Sequence, residues 1–151
     1  MTLNEKLAED LKTAMKGQDE PRVRVLRMLK TRVKEASVAK RDDLTDDEVI
    51  KVIITETKKR KEAIELFEQG GRGDLAAREK EEMEILQTYM PEQLTEDEVR
   101  DLIKEAIEEV GAKDPRDMGK VMKVLMPRIV GRSEGSFASR TVKELLAQKK
   151  D

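Results

Sequence analysis

The sequence predicts an all-α protein. Charged residues make up 42% of its 151 residues and aromatic residues only 2%, so the side chains that favour helices are abundant and the aromatic ones common in sheets are nearly absent. Apolar residues recur at helical spacing along most of the chain. A chain of this length can form one ordinary domain or two small ones.

Two helices are predicted in the first forty residues. The first runs over about residues 3–16 and ends at Gly17, because glycine commonly follows a helix C-terminus. The second carries Pro21 in its first turn, where proline is tolerated. Its apolar stripe lies beside a basic face that is either a nucleic-acid contact or a solvated edge, formed by Arg27, Lys30 and Lys34.

The third helix begins at a capping box formed by Thr45 and Glu48 and runs to about Gln69. Arg60 falls on the apolar stripe of this helix. A basic side chain at such a position is expected either to pair with a carboxylate such as Glu56 or to extend outward to a ligand.

The fourth helix is expected over about residues 75–89, with Asp74 as its cap and Pro91 after its end. The segment around Pro91 is the predicted domain boundary. The predicted architecture is an N-terminal domain of about four helices over residues 1–91 and a C-terminal three-helix bundle over residues 92–151.

The C-terminal bundle starts with the clearest helical periodicity in the chain. A second capping box, Thr95 and Glu98, opens the fifth helix, and Gly111 closes it. Asp114 is the expected cap of the sixth helix, whose apolar face extends up to a proline at position 127. The seventh helix is expected to begin at Ser136 as its cap.

Net charge is only −2, but the charge is unevenly distributed. Residues 1–73 carry 17 basic and 15 acidic side chains, residues 74–110 carry 4 and 13, and residues 111–150 carry 10 and 4. The C-terminal segment is therefore basic behind an acidic stretch, a pattern that permits contact with a polyanion.

The sequence lacks residues that several classes of enzyme and metal site require. With no cysteine and no histidine, it has no thiol nucleophile, no thiolate or imidazole metal ligand and no histidine general base. We identify no catalytic constellation, and we expect no metal site and no cofactor. No apolar run is long enough to span a membrane and no signal peptide is recognisable, so a cytoplasmic location without membrane contact is expected.

Two sets of motifs resemble the YqeY family. The first comprises Glu56-Thr57-Lys58-Lys59-Arg60-Lys61-Glu62-Ala63, Gly71-Arg72-Gly73-Asp74 and Ile85-Leu86-Gln87-Thr88-Tyr89-Met90-Pro91. The second comprises Asp117-Met118-Gly119-Lys120-Val121-Met122, Leu125-Met126-Pro127, Gly131-Arg132 and Val142-Lys143-Glu144-Leu145-Leu146. The C-terminal module of that family is similar to the tail domain of GatB, the tRNA-binding subunit of tRNA-dependent amidotransferase.

The resemblance implies a helical N-terminal domain and a three-helix C-terminal domain that helps to hold tRNA. It also implies that the amide chemistry of the amidotransferase lies in domains that this chain lacks. A third hypothesis, a glutamine-dependent carbon–nitrogen ligase activity, rests on the family label alone.

The candidate nucleic-acid contacts lie in both halves of the chain. In the C-terminal half they are the basic residues and the glycine turn after the sixth helix, namely Lys120, Lys123, Arg128, Gly131, Arg132 and Gly135. In the N-terminal half they are Arg27, Lys30, Lys34 and Arg60. Arg128, Arg132 and the turn are favoured, because guanidinium groups and accessible backbone N–H groups bind phosphate. Gly119 is expected to be a close-packing position.

The leading hypothesis is a non-catalytic protein that binds tRNA, or that docks on a complex handling tRNA, through the basic C-terminal bundle. The alternative is a protein–protein adaptor whose acidic segment and methionine-rich sixth helix bind a partner. Stacking on unpaired bases is not expected, because the chain has only three aromatic side chains. DNA is not an expected partner.

Overall fold

A computed structural model describes residues 1–149 of the chain. Over these residues it contains seven α-helices, one short 3₁₀ turn and no β-strand. This confirms the predicted all-α class. The chain divides into two compact units, Met1–Met90 and Pro91–Asp151.

The first unit consists of two helical hairpins. Its helices are α1 (Leu3–Lys16), α2 (Glu20–Lys40), α3 (Asp46–Gln69) and α4 (Gly73–Gln87). α1 packs on α2 and α3 packs along α4, because each helix has one apolar face to bury. The core is made of fully buried aliphatic side chains, among them Leu7, Leu26, Leu29, Ile53 and Leu86.

Capping boxes open two of these helices. The box of Thr45 and Glu48 at the start of α3 is confirmed, with the Thr45 hydroxyl accepting from the Glu48 N–H and the Glu48 carboxylate accepting from the Thr45 N–H. Thr2 and Glu5 form a further box before α1 that the sequence analysis missed. Each box satisfies N–H groups that have no partner within the helix, so both fix where the chain becomes helical.

One local prediction in this unit is wrong. Asp74 does not cap α4, because the helix already begins at Gly73 and both carboxylate oxygens of Asp74 accept from the guanidinium of Arg72. The end of α1 at Gly17 is confirmed; Gly17 keeps a right-handed backbone, and the left-handed residue after it is Gln18, with φ of 54°.

The middle of the first unit contains carboxylates that are almost completely buried. Glu82 on α4 is 9% exposed, and Arg24 of α2 and Arg60 of α3 each place Nε 3.6 Å from one of its oxygens. Arg60 also lies 3.8 Å from Glu79. Arg60 therefore pairs with carboxylates of α4, and not with the Glu56 that the sequence suggested.

Glu56 has other partners. It is 4% exposed, and it pairs with Arg32 of α2 at 3.4 Å and with Lys59 one turn further along α3 at 3.3 Å. Together with the Glu82 pairs, this places buried charges across the contacts of α2 with α3 and α4. Buried carboxylates without basic partners would be costly, so these pairs select one register of the helices.

The second unit is a three-helix bundle. Its helices are α5 (Glu96–Val110), α6 (Met118–Ile129) and α7 (Gly135–Gln148), with the 3₁₀ turn Pro115–Asp117 before α6. One core joins the three apolar faces through fully buried residues that include Val99, Ile103, Val121, Leu125, Val142 and Leu146. Gly111 ends α5 in the left-handed conformation, with φ of 65°, as predicted.

The starts of α6 and α7 differ from the sequence prediction. Asp114 caps the 3₁₀ turn, and α6 begins four residues later, at Met118. Ser136 is not the cap of α7, because the helix begins one residue earlier and no side chain caps it. Pro127 lies inside the last turn of α6, which continues to Ile129; a proline so near the end removes one helical hydrogen bond and leaves little helix to disrupt.

Candidate nucleic-acid interface

The outer face of α6 carries exposed lysines. Lys120 and Lys123 lie on the side of the helix opposite its buried residues. The Lys120 side chain is 72% exposed, and its ammonium is 3.9 Å from Asp117, a distance at the limit of an ion pair. Among residues 1–149, Lys123 has no carboxylate within ion-pair distance. These two positive charges are available to an external anion.

Gly119 lies between these lysines and the start of α6. A side-chain carbon added at this position would meet no atom within 4 Å. The expectation that Gly119 is a close-packing position is therefore wrong. Its exposed backbone instead allows a ligand to approach the helix closely beside Lys120.

Arg128 faces α5 and not the outer side of α6. Its Nη2 donates to both carboxylate oxygens of Glu109, at 2.9 and 2.7 Å. This hydrogen bond lowers the pKa of Glu109 and raises that of Arg128. The guanidinium that the sequence favoured as a phosphate ligand thus already has an anionic partner within the protein.

The turn after α6 is held from one side by the segment that precedes α5. Gln93 Nε2 donates to the Gly131 carbonyl at 2.6 Å, and the Leu94 N–H donates to the Arg132 carbonyl at 2.8 Å. Arg132 Nε in return donates to the Glu92 carbonyl at 3.2 Å. Gly131 takes φ of 72°, a left-handed conformation that glycine adopts without strain.

Two backbone donors of this turn are already used. The N–H groups of Arg132 and Ser133 both donate to the Ile129 carbonyl. The open part of the turn is its far end, where no side chain caps α7 and where a side chain added at Gly135 would meet nothing within 4 Å. The exposed carboxylate of Glu134 lies next to this end.

Arg116 is a basic residue of this region that the sequence did not single out. Its side chain is 91% exposed on the 3₁₀ turn that leads into α6, and its Nη2 lies 3.0 Å from Asp114. The hydrogen bond to Asp114 raises the pKa of Arg116. The sequence signal is the basic residue directly after Asp114-Pro115, because this pair starts a helical turn and Arg116 is its second residue.

The four candidates of the first unit separate into two groups. Arg27 and Lys34 are exposed and Lys30 is half-buried along the outer side of α2. Arg60 is only 16% exposed and is occupied by the carboxylates of α4. The structure thus brings together the three α2 residues and excludes Arg60 from their face.

The aromatic side chains are buried or half-buried. Tyr89 is buried, and its hydroxyl donates to Asp10 at 2.6 Å. Burial and this hydrogen bond raise the pKa of Tyr89. Phe137 is half-buried against the core of the second unit, with the guanidinium of Arg100 5.8 Å from its ring centre. An exposed platform of rings for base stacking is not present on residues 1–149.

In the part of the chain that the structure describes, no group of three or more acidic side chains is arranged to hold a metal ion. Within that part, none of the helices combines the length and the apolar composition that crossing a bilayer requires.

Comparison with known proteins gives a family match over nearly the whole chain. The sequence model of the YqeY-like proteins matches residues 4–146. A relative from Pyrenophora tritici-repentis, named altered inheritance of mitochondria protein 41, mitochondrial, is 29% identical over 147 residues, which are 95% of this chain and 81% of the relative.

Two other fungal relatives match shorter stretches. A protein of the same name from Eremothecium gossypii is 33% identical over 85 residues, covering 56% of this chain and 46% of the relative. An uncharacterised protein of Schizosaccharomyces pombe is 29% identical over 86 residues, covering 57% of this chain and 70% of the relative.

Proposed function

The chain belongs to the family of YqeY-like proteins, and from this premise we propose that it is a non-catalytic protein that binds tRNA or docks on a tRNA-handling complex. The contact surface is the outer face of α6 together with the adjoining turn. The central residues are Lys120 and Lys123, and the edges of the surface are formed by Arg128 and Arg132.

The observation that supports this proposal most directly is the exposure of Lys120 and Lys123 beside the open backbone of Gly119. Lysine ammonium groups on a helix face contact phosphates as point charges, and a glycine lets the sugar–phosphate chain come close. We propose tRNA as the polyanion because this module resembles the GatB tail.

The geometry changes the expected order of importance within the surface. Arg128 must give up or share Glu109 before it can bind a phosphate, and Arg132 must leave the Glu92 carbonyl. Lys123 gives up no ion pair among residues 1–149. We therefore assign the larger contribution to the two lysines and the smaller to the two arginines.

Recognition on this surface depends on phosphate and shape. The described surface offers no exposed rings for stacking, so bases splayed out of a single strand find no platform. Structured RNA with closely spaced phosphates fits better. A cytoplasmic location remains part of this proposal, whereas the two fungal relatives from P. tritici-repentis and E. gossypii carry the word mitochondrial in their names.

Filter binding of bulk tRNA at low salt tests the proposal. The full chain is expected to bind, and the double variant Lys120→Ala plus Lys123→Ala is expected to bind roughly tenfold more weakly, because two phosphate contacts are lost. The matched control is Lys51→Ala plus Lys104→Ala, which removes the same charge from faces rich in carboxylates.

Absence of binding by the full chain at low salt would contradict tRNA binding and leave docking on a protein partner as the leading function. Equal loss of affinity in the control and in the Lys120/Lys123 variant would show a general charge effect and would remove α6 from the site.

A further inference from the structure

We propose that α2 carries a second phosphate-binding surface for the same RNA, formed by Arg27, Lys30 and Lys34. This inference rests on the proposed function for the choice of RNA as the polyanion. It concerns the first unit, which the family resemblance to the GatB tail does not cover.

The charged side chains in the middle of α2 are all of one sign. Residues 21–34 contain six basic side chains and no acidic one, although the whole chain has 33 acidic residues. Three of the six are explained by intramolecular ion pairs. These are Arg22 with Asp19, Arg24 with Glu82, and Arg32 with Glu35 and Glu56.

The other three basic residues lie on the side of α2 away from its buried residues Val25 and Leu29, where Arg27 and Lys34 are exposed and Lys30 is half-buried. Within the described residues, none of the three forms an ion pair. The helix thus has three arginines that are paired with carboxylates and a row of three basic residues that is not.

The length of the row formed by Arg27, Lys30 and Lys34 is compatible with contact to successive phosphates. Seven residues of α-helix separate Arg27 from Lys34, a distance of about 10 Å. A strand of duplex nucleic acid rises roughly 3.4 Å per phosphate along the duplex axis, and neighbouring phosphates are farther apart than this because the strand winds around the axis, so the row itself spans about two phosphates. Three basic side chains of this reach can neutralise two or three of them.

Another face of the same unit carries basic residues in a different sequence context, although within the described residues these lysines form no ion pair either. The outer side of α3 also carries three exposed lysines, Lys51, Lys58 and Lys61. Each of them has an acidic residue four positions away, at Asp47, Glu62 and Glu65 respectively. Such alternation is typical of a solvated helix face. The α2 row lacks these neighbours.

The test compares two triple variants of the full chain. The first is Arg27→Ala, Lys30→Ala and Lys34→Ala, and the matched control is Lys51→Ala, Lys58→Ala and Lys61→Ala. Both remove three positive charges from a helix in the same unit, and alanine maintains the helix. Affinity for bulk tRNA is measured from low to moderate salt, and thermal unfolding of each variant is recorded alongside.

The α2 variant is expected to weaken binding by roughly tenfold or more and to reduce the slope of log affinity against log salt by about 2 to 3, since each lost phosphate contact removes about one unit. The control is expected to change the slope by much less. If Lys30 proves necessary for folding, the double variant Arg27→Gln plus Lys34→Gln is expected to reduce the slope by about 1 to 2.

The possible outcomes separate this inference from the proposed function. If the full chain binds tRNA and the α2 variant binds as the control does, the α2 surface is contradicted and the α6 surface stands. If the α2 variant loses affinity while the Lys120/Lys123 variant does not, the α2 surface stands and the α6 surface is contradicted. If the full chain binds anionic lipid vesicles and no tRNA, both are contradicted.

Discussion

Arg128 of α6 and Glu109 of α5 form an ion pair in which one guanidinium nitrogen lies 2.9 and 2.7 Å from the two carboxylate oxygens. The pair joins the basic part of the second unit to its acidic helix. It also occupies the arginine that the sequence favoured as a phosphate ligand. The affinity for an anion that we propose for this unit therefore depends on whether Arg128 stays bound to Glu109.

Glu109→Gln is expected to increase tRNA affinity by a few-fold, because it frees Arg128 and removes a negative charge beside the binding surface. The matched control is Glu108→Gln, an equal change of charge at an exposed neighbour without an ion pair in the described chain. Filter binding at one fixed salt concentration measures both. Equal gains for the two variants would show that Arg128 takes no part in binding.

Gly119→Ala is expected to change the stability of the protein and its tRNA affinity in opposite directions. The added methyl group meets open space, and alanine is the better helix former, so thermal or urea unfolding is expected to show a gain of roughly 0.5 kcal/mol. The same change is expected to weaken tRNA binding, because it keeps the phosphate chain away from the helix backbone. A variant that is stabilised and binds as tightly as the native chain would show that no ligand approaches at Gly119.

Glu82→Gln is expected to destabilise the first unit by about 1–3 kcal/mol, because the amide leaves Arg60 buried without full charge compensation. Glu81→Gln is the control, since Glu81 is exposed and unpaired within the described residues; it should change stability by less than about 0.5 kcal/mol. Urea unfolding followed by circular dichroism compares them. Similar stability for both variants would mean that the ion pairs of Glu82 contribute little.

Because of Glu48, part of the free energy of unfolding depends on pH in the acid range. Its hydrogen bond with Lys40, at 2.6 Å, and its capping bonds with Thr45 lower the pKa of Glu48 from 4.5 to about 2. The folded-state pKa lies below the unfolded value, so this contribution is fully present above about pH 4.5 and is lost as the pH falls toward 2.

Lys40→Gln is expected to raise the pKa of Glu48 toward its ordinary value, because the Lys40 hydrogen bond is the largest cause of the shift. Titration of the Glu48 carboxyl carbon by NMR measures this in the native chain and in the variant. Identical titration curves would show that the Lys40 contact is not formed in solution. The acid-dependent loss of stability should be smaller in the variant.

Local signals predicted much of the fold. The capping boxes at Thr45 and Thr95 place the starts of two helices correctly, because the hydroxyl and the carboxylate act within four residues of sequence. Asp74 and Ser136 fail as predicted caps for different reasons. The carboxylate of Asp74 accepts from Arg72, whereas α7 already begins at Gly135, one residue before Ser136.

The candidate site was predicted less well, because its properties depend on contacts distant in sequence. Arg128 meets Glu109 across 19 residues, and Arg132 meets Glu92 across 40. No periodicity reveals such pairs. Arg60 was expected either to pair or to extend to a ligand, and only the packing of α4 against α3 shows that it pairs with Glu79 and Glu82.

The salt dependence of tRNA binding by the full, unaltered chain tests whether this protein binds RNA through phosphate contacts. If Lys120, Lys123 and the surrounding basic residues bind phosphates, log affinity should fall linearly with log salt, with a slope of roughly −0.7 to −0.9 for each phosphate contacted. Affinity that does not change between low and moderate salt, or no binding at low salt, would show that these residues do not bind the phosphates of tRNA.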